Sequence, residues 1–267
     1  MLSSNLSKHV SSIIFAIDAN RHFTILVTGT SGVGKSSLIN ALVGKLVAKE
    51  GRGMTVCTTE TTKYSCEVIE GIELRAWDTP GFENDDSKDK SCLQDMITKL
   101  KDDVDLVVFC LRTDDSRFCR GDKEAMKKLT EAFGDELWEH TVIALTFANK
   151  VHHPHEGDEN AYFMEELKFW REAIHSFLKD ELKFGPEILQ SLRILPTGYC
   201  ASKDRKLSNC VDWLTNFWMA CYTAPKSKGA INLLKMNNSR LEDGNQTSFS
   251  EHGSASFGAK VMRCLLG

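Results

Sequence analysis

Gly29-Thr30-Ser31-Gly32-Val33-Gly34-Lys35-Ser36 decides how this chain is read. The stretch fits G-x-x-x-x-G-K-[ST], with Ser37 next in line. In that pattern the glycines let the backbone turn tightly, so that successive N–H groups point inward at phosphates. Lys35 then brings positive charge to the β- and γ-phosphates, and the Ser36 hydroxyl is placed to bind Mg²⁺. The surroundings are those the pattern needs. Phe23-Thr24-Ile25-Leu26-Val27-Thr28 reads as a buried strand just before it, and Leu38, Ile39, Leu42 and Val43 fall at helical spacing just after it. A helix starting there aims the positive end of its dipole at the same anion. Residues 29–37 are therefore the expected nucleotide-binding segment.

Working outward, residues 64–69 and 72–77 read as two strands joined at Glu70-Gly71. Residues 104–111, 141–146 and 192–195 are further short apolar runs. Helical patterns lie between them at 90–101, 123–133, 161–182 and 210–221. In the third of these, Phe163, Leu167, Trp170, Ile174 and Leu178 form one face. Strands alternating with helices imply an α/β domain of the P-loop type, a mostly parallel sheet flanked by helices on both sides. The expected domain is residues 21–223. Before it, Leu2, Leu6, Val10, Ile13, Ile14 and Ile17 predict an amphipathic helix over residues 1–20. Residues 224–267 are polar and poor in aromatics, which predicts a flexible tail.

Composition narrows the function classes. Net charge is −4 and no basic stripe is present, which argues against a nucleic-acid partner. The nine cysteines, an odd number without C-x-x-C pairs, suit a reducing compartment. The apolar run 13–17 is too short for a signal peptide or a membrane span, so the expected location is cytoplasmic. Membrane contact would have to come through the N-terminal helix or the tail. His152, His153 and His155 lack metal-ligand spacing and read as a solvated loop. The ending Cys264-Leu265-Leu266-Gly267 has the form of a prenylation box, with an unusual final residue.

The strand at 72–77 runs into Asp78-Thr79-Pro80-Gly81. A D-x-x-G placed one hairpin after a P-loop holds Mg²⁺ through its Asp and senses the γ-phosphate through its Gly amide, as in GTPases. The common ATPases would show a longer apolar strand closing in Asp-Asp or Asp-Glu, which is missing here. A threonine is expected earlier to cover the γ-phosphate and ligate Mg²⁺, and Thr58, Thr59, Thr61 and Thr62 all compete. The residue after Gly81 is Phe82, which cannot orient a water, so turnover should be slow or completed from elsewhere.

Taken in order, D-T-P-G-F, an apolar strand, Arg117 and Asp122, then F-G-D-E-L-W and L-T-F-A-N, this pattern resembles the septin-related "paraseptin" GTPases. That family comprises the GTPases of immunity-associated proteins and the chloroplast outer-envelope preprotein receptors. The resemblance covers about residues 20–222. It implies GTP or GDP as ligand, Mg²⁺ as cofactor, slow hydrolysis, and a homodimer across the nucleotide face. Counting back twelve residues from Gly71, as the family pattern does, selects Thr59 as the Mg²⁺ and γ-phosphate threonine beside Ser36 and Asp78. Arg117 aligns with an arginine that some members insert across the dimer, so Thr59, Gly81 and Arg117 are the expected catalytic set. Thr146-Phe147-Ala148-Asn149 occupies the place of N-K-x-D; Asn149 offers one acceptor and one donor, so it cannot repeat both guanine contacts of an Asp. Thr197-Gly198-Tyr199 resembles the family's last base-contacting loop, with Tyr199 placed to stack on the base. Two other readings stand beside the enzyme: a nucleotide-dependent assembly scaffold with negligible turnover, and a P-loop ATPase or kinase. The preprotein receptors carry a C-terminal membrane span, and this sequence shows no such run.

Overall fold

The computed structural model describes residues 22–51, 58–69, 72–100, 104–114, 117–199 and 204–223. The expected N-terminal helix, the turn at 70–71, the tail and Cys264 lie outside the described residues.

Six strands form one sheet: β1 (His22–Gly29), β2 (Thr62–Ile69), β3 (Ile72–Asp78), β4 (Leu106–Arg112), β5 (Thr141–Thr146) and β6 (Arg193–Pro196). Their order across the sheet is β2-β3-β1-β4-β5-β6. Strand β2 pairs antiparallel with β3, and every other neighbouring pair is parallel. The central strands carry near-continuous apolar runs because helices cover both faces. Residues 25–27, 107–111 and 142–145 are buried throughout.

The helices are α1 (Lys35–Val43), α2 (Asp86–Lys99), α3 (Arg120–Phe133), α4 (Glu159–Asp180), α5 (Pro186–Ser191) and α6 (Trp213–Thr223). Three of their starts are set by aspartates that satisfy the otherwise orphaned first N–H groups. The Asp85 carboxylate accepts from the Ser87 and Lys88 amides, so α2 begins four residues before the expected 90. Asp158 does the same for α4 through Asn160 and Ala161. At α6, Asp212 accepts from the Leu214 and Thr215 amides, which moves that start from the expected 210 to Trp213. Helix α5 was not expected, since six residues are too few to show a period. On α4 the expected face of Phe163, Leu167, Trp170, Ile174 and Leu178 is buried.

Five parallel strands run the same way, so their C-terminal ends share one rim. The rim collects Gly29, Asp78, Arg112, Thr146 and Pro196, each followed by one of the motif loops. In open α/β sheets this rim is where ligands bind.

Candidate functional site

The glycine-rich loop leaves β1 and delivers Lys35 and Ser36 into the first turn of α1. Lys35 is buried, and its Nζ donates to the carbonyls of Thr30 at 2.8 Å and Gly29 at 3.3 Å. Burial pushes its ammonium below the usual lysine range, and the Asp78 charge opposes that shift. A buried cation fixed at the start of a helix by neutral carbonyls makes a strong anion site. Gly34 sits at φ 86° and packs on Phe147, whose Cε2 would lie 2.9 Å from an added Cβ. Only glycine fits both demands.

The D-x-x-G segment closes over this loop. Thr79 is tied to β1, its amide and hydroxyl both donating to the Val27 carbonyl. At Gly81 a Cβ would stand 2.6 Å from the Ser31 nitrogen and 2.9 Å from Lys35 Nζ. Phe82 then forms a parallel bridge with Thr30: its N–H donates to Gly29 O at 3.2 Å and its C=O accepts from Ser31 N at 3.0 Å. One feature departs from expectation. The Ser31 amide is turned to Phe82 rather than into the cradle, because the bridge continues the β1–β3 side of the sheet into the loop. The Phe82 ring is 1% exposed and belongs to the core, so it is removed from the phosphates altogether.

Asp78 Oδ2 accepts from Ser36 Oγ at 2.7 Å and from Thr58 Oγ1 at 3.1 Å, and the two hydroxyls lie 3.5 Å apart. Asp78 Oδ1 is buried and has no hydrogen-bond partner. Burial raises the Asp78 carboxyl above its ordinary value, against the lowering effect of Ser36, Lys35 and Thr58. An orphaned carboxylate oxygen beside two hydroxyls fits Mg²⁺, which takes hard oxygens and keeps places for water and phosphate. Ser36, Thr58 and Asp78 are the residues that would hold it. The structure thus puts Thr58 where Thr59 was expected; Thr59 is exposed.

Across the rim stand two aromatic rings. Phe147 follows β5 and Tyr199 follows β6, and they stack at 5.1 Å between centroids with 12° between planes. Lys150 Nζ lies 4.7 Å and 4.6 Å from the two ring centres, and the Arg112 guanidinium lies 4.4 Å from Phe147. Arg112 also makes a two-point ion pair with Asp114, at 2.6 and 2.9 Å. Flat apolar walls edged by cations suit an aromatic base on an anionic nucleotide. Asn149 does not face an open slot. Its Oδ1 accepts from Tyr199 N at 2.7 Å, and its Nδ2 donates to Tyr199 O at 3.3 Å. Thr146 is buried, and its hydroxyl reaches the Val33 carbonyl at 2.6 Å, which clasps the glycine-rich loop to β5. Thr197 is buried and its carbonyl accepts from Ala148 N, while Gly198 packs on the Trp213 indole. Thr146, Thr197 and Gly198 shape the slot from behind; Phe147, Tyr199 and Lys150 form its surface. Phe147 and Arg112 were not among the expected binding residues, and only their neighbourhood to the strand ends could have marked them.

Arg117 is exposed on this rim, just before α3. The next residue, Phe118, packs edge-on against Phe177 at 5.4 Å and anchors the segment on α4. Asp122, in the first turn of α3, accepts from the Thr30 hydroxyl at 2.8 Å and from the Cys119 amide at 3.4 Å. The arginine-bearing segment is therefore fastened to the glycine-rich loop.

A glycine-rich turn between a buried strand and a helix, with a buried lysine, a metal-ready aspartate and a closing D-x-x-G, defines a P-loop nucleotide-binding fold. Sequence comparison places it further: a model of the AIG1 family matches residues 23–177, and the chain belongs to that family. It is 31% identical over 169 residues to the Translocase of chloroplast 34 homolog, chloroplastic, of Chlamydomonas reinhardtii, covering 59% of this chain. The chain spans only 42% of that relative's length. Among solved structures, Toc33 from Arabidopsis thaliana in complex with GDP and Mg²⁺ matches with a TM-score of 0.71 at 21% identity, over 85% of this chain and 94% of that one. A structure from work on atToc33 and psToc159, chloroplast translocon components for whose GTPase activity dimerization is important, matches with a TM-score of 0.72 at 20% identity, over 85% and 94%. At such identities the likeness establishes the fold. No helix among the described residues is long and apolar enough to cross a membrane. The relative's name points to the chloroplast and lends the cytoplasmic expectation no support.

Proposed function

We propose that residues 21–223 form a GTPase domain that binds GTP with Mg²⁺ and slowly hydrolyses it to GDP and phosphate. The observation that carries this reading is the convergence of Lys35, Asp78 and Gly81 on one point of the rim, with Gly81 within van der Waals reach of both Ser31 and Lys35. Ser36, Thr58 and Asp78 would hold Mg²⁺, which would supply neutralisation of the phosphate charge. Lys35 would hold phosphate oxygens, and the Gly81 amide would meet the γ-phosphate. A water attacks the γ-phosphorus in line, the bond to the β–γ bridging oxygen breaks, and GDP leaves. With the Phe82 ring in the core, no side chain directly after Gly81 orients that water, which is why intrinsic turnover is slow.

Exposed Arg117, fastened to the glycine-rich loop through Asp122, supports a homodimer across the nucleotide face in which each arginine reaches the partner's nucleotide. A trans-acting arginine raises GTPase rates by about 10³–10⁵ in the strongest cases. The chloroplast relatives further support peripheral association with a membrane. The test is phosphate release under single-turnover conditions across a protein-concentration series, with mass measured in parallel, for wild type and Arg117→Ala. The rate per protomer rises through the monomer–dimer transition in wild type and stays low in the variant. A flat, low wild-type rate alongside tight GTP binding instead supports the assembly-scaffold reading, which the buried Phe82 also favours. Competition by ATP equal to that by GTP overturns guanine selection.

A further inference from the structure

Glu50 occupies a place that the phosphate, metal and base contacts leave unexplained. It lies on the stretch after α1 and is partly buried, with no cationic partner among the described residues. Its Oε1 accepts from Asn40 Nδ2 at 2.8 Å, and its Oε2 stands 3.5 Å from the Tyr199 phenol oxygen. Asn40 is itself buried within α1. Its Oδ1 accepts from the Val47 and Ala48 amides at 2.8 Å each, and its Nδ2 also donates to Ala48 O at 2.9 Å. One asparagine therefore pins the whole 47–50 stretch, and the Glu50 carboxylate, to the helix whose first turn holds Lys35 and Ser36.

The direction follows from Tyr199. Asn149 grips the backbone of Tyr199, and the nucleotide reading puts the pairing edge of the base on this side, at the end of β5, whether or not Asn149 itself touches it. Glu50 stands at the opposite, phenol end of the same side chain. A purine laid along the ring with its pairing edge toward Asn149 sends N9, and the ribose on it, toward Glu50. The ribose there presents two neighbouring hydroxyls, and an ionised carboxylate is an acceptor-only group with two oxygens to offer. A carboxylate on the ribose 2′-hydroxyl is an established solution in other nucleotide folds.

We infer that Glu50 accepts hydrogen bonds from the ribose 2′- and 3′-hydroxyls and makes the site selective for ribonucleotides over 2′-deoxyribonucleotides. The inference rests on the nucleotide reading above and names the part of the ligand that the motif residues do not touch. Hydrogen bonds to a charged acceptor are strong enough that losing one weakens binding on the order of tenfold.

The test is calorimetric binding of GDP and 2′-deoxy-GDP, with Mg²⁺, to the full chain as wild type, Glu50→Gln and Glu50→Ala. Wild type prefers GDP by about tenfold. In Glu50→Ala the preference collapses to about twofold or less, because GDP binding falls while 2′-deoxy-GDP binding falls much less, and Glu50→Gln lies between. A preference untouched by either substitution overturns the inference, and so does an equal loss for both nucleotides, which would mark Glu50 as a support for its loop only. A wild-type chain that binds neither nucleotide defeats the nucleotide reading itself, and the inference with it.

Discussion

Replacing Asp78 with asparagine should stabilise the nucleotide-free protein progressively as pH rises, while removing its use of Mg²⁺. Asp78 Oδ1 is buried without a partner, and burial raises the carboxyl above its ordinary 3.8. An unsatisfied buried polar atom costs about 1–3 kcal/mol, and a charged one more. Below pH 3.8 the carboxyl is protonated folded and unfolded alike, so it contributes no pH-dependent term. As pH rises past 3.8 the unfolded chain loses its proton first, which favours unfolding. The penalty is complete once pH exceeds the raised native value. Asparagine carries no such penalty, so the gap between variant and wild type widens over that window by about 1–3 kcal/mol in the variant's favour. Any fixed offset from the buried amide is the same at every pH and does not affect the comparison. Urea unfolding of both proteins, without nucleotide, from pH 4.5 to 7.5 measures the gap. Repeating it with Mg²⁺ and GDP should reverse the order, since only the carboxylate gains the ion. A gap that stays constant with pH, or that widens in favour of wild type toward pH 7, refutes the idea that Asp78 is held at a cost until metal arrives.

Gly81→Ala should weaken binding of a non-hydrolysable GTP analogue by about tenfold or more and lower the melting temperature of the free protein, because its methyl would press on Ser31 N and Lys35 Nζ; calorimetry and thermal unfolding decide, and unchanged affinity for the analogue would separate Gly81 from the γ-phosphate site. Thr58→Val should raise the Mg²⁺ concentration needed for nucleotide binding, whereas Thr59→Val should not; a Mg²⁺ titration giving the opposite ranking would reinstate Thr59. Asn149→Asp should destabilise the chain by about 1–2 kcal/mol and weaken GTP binding, since a carboxylate oxygen would replace the amide that donates to Tyr199 O. Tighter GTP binding by that variant would show that this side chain reads the base rather than holding the loop.

The parts legible from sequence are those in which residues near in the chain act together. The glycine-rich loop lies between its strand and helix, and D-T-P-G follows its strand directly, so pattern and spacing locate both. The mostly parallel sheet followed from the alternation of strands and helices, and the face of α4 from its period. What escaped depends on segments that meet only in three dimensions. Phe147 and Tyr199 come from different strand ends, and Glu50 reaches them through Asn40 in α1. The Thr58–Thr59 choice escaped for another reason. Thr58, Thr59 and Thr61 on an irregular lead-in, with Thr62 opening β2, carry no period, and only the position of Asp78 tells them apart. Asn149 was legible as a departure from N-K-x-D, but its bonds to Tyr199 could not be read before the β6 loop was placed beside it.

The contacts of Thr30 also bear on how the molecule opens. Its hydroxyl binds Asp122, 92 residues away, while its backbone bridges Phe82. Three stretches remote in the chain thus meet around Thr30, through its own hydroxyl and through the backbone bonds that its neighbours Gly29 and Ser31 make with Phe82. Native-state amide exchange reports cooperative opening units of this kind. The amides of Ser31 and Phe82, bonded across this bridge, and of Cys119, which donates to Asp122, should exchange with one common opening free energy. A nucleotide that displaces the Ser31–Phe82 bond would then slow or speed exchange at the start of α3, a place it never touches.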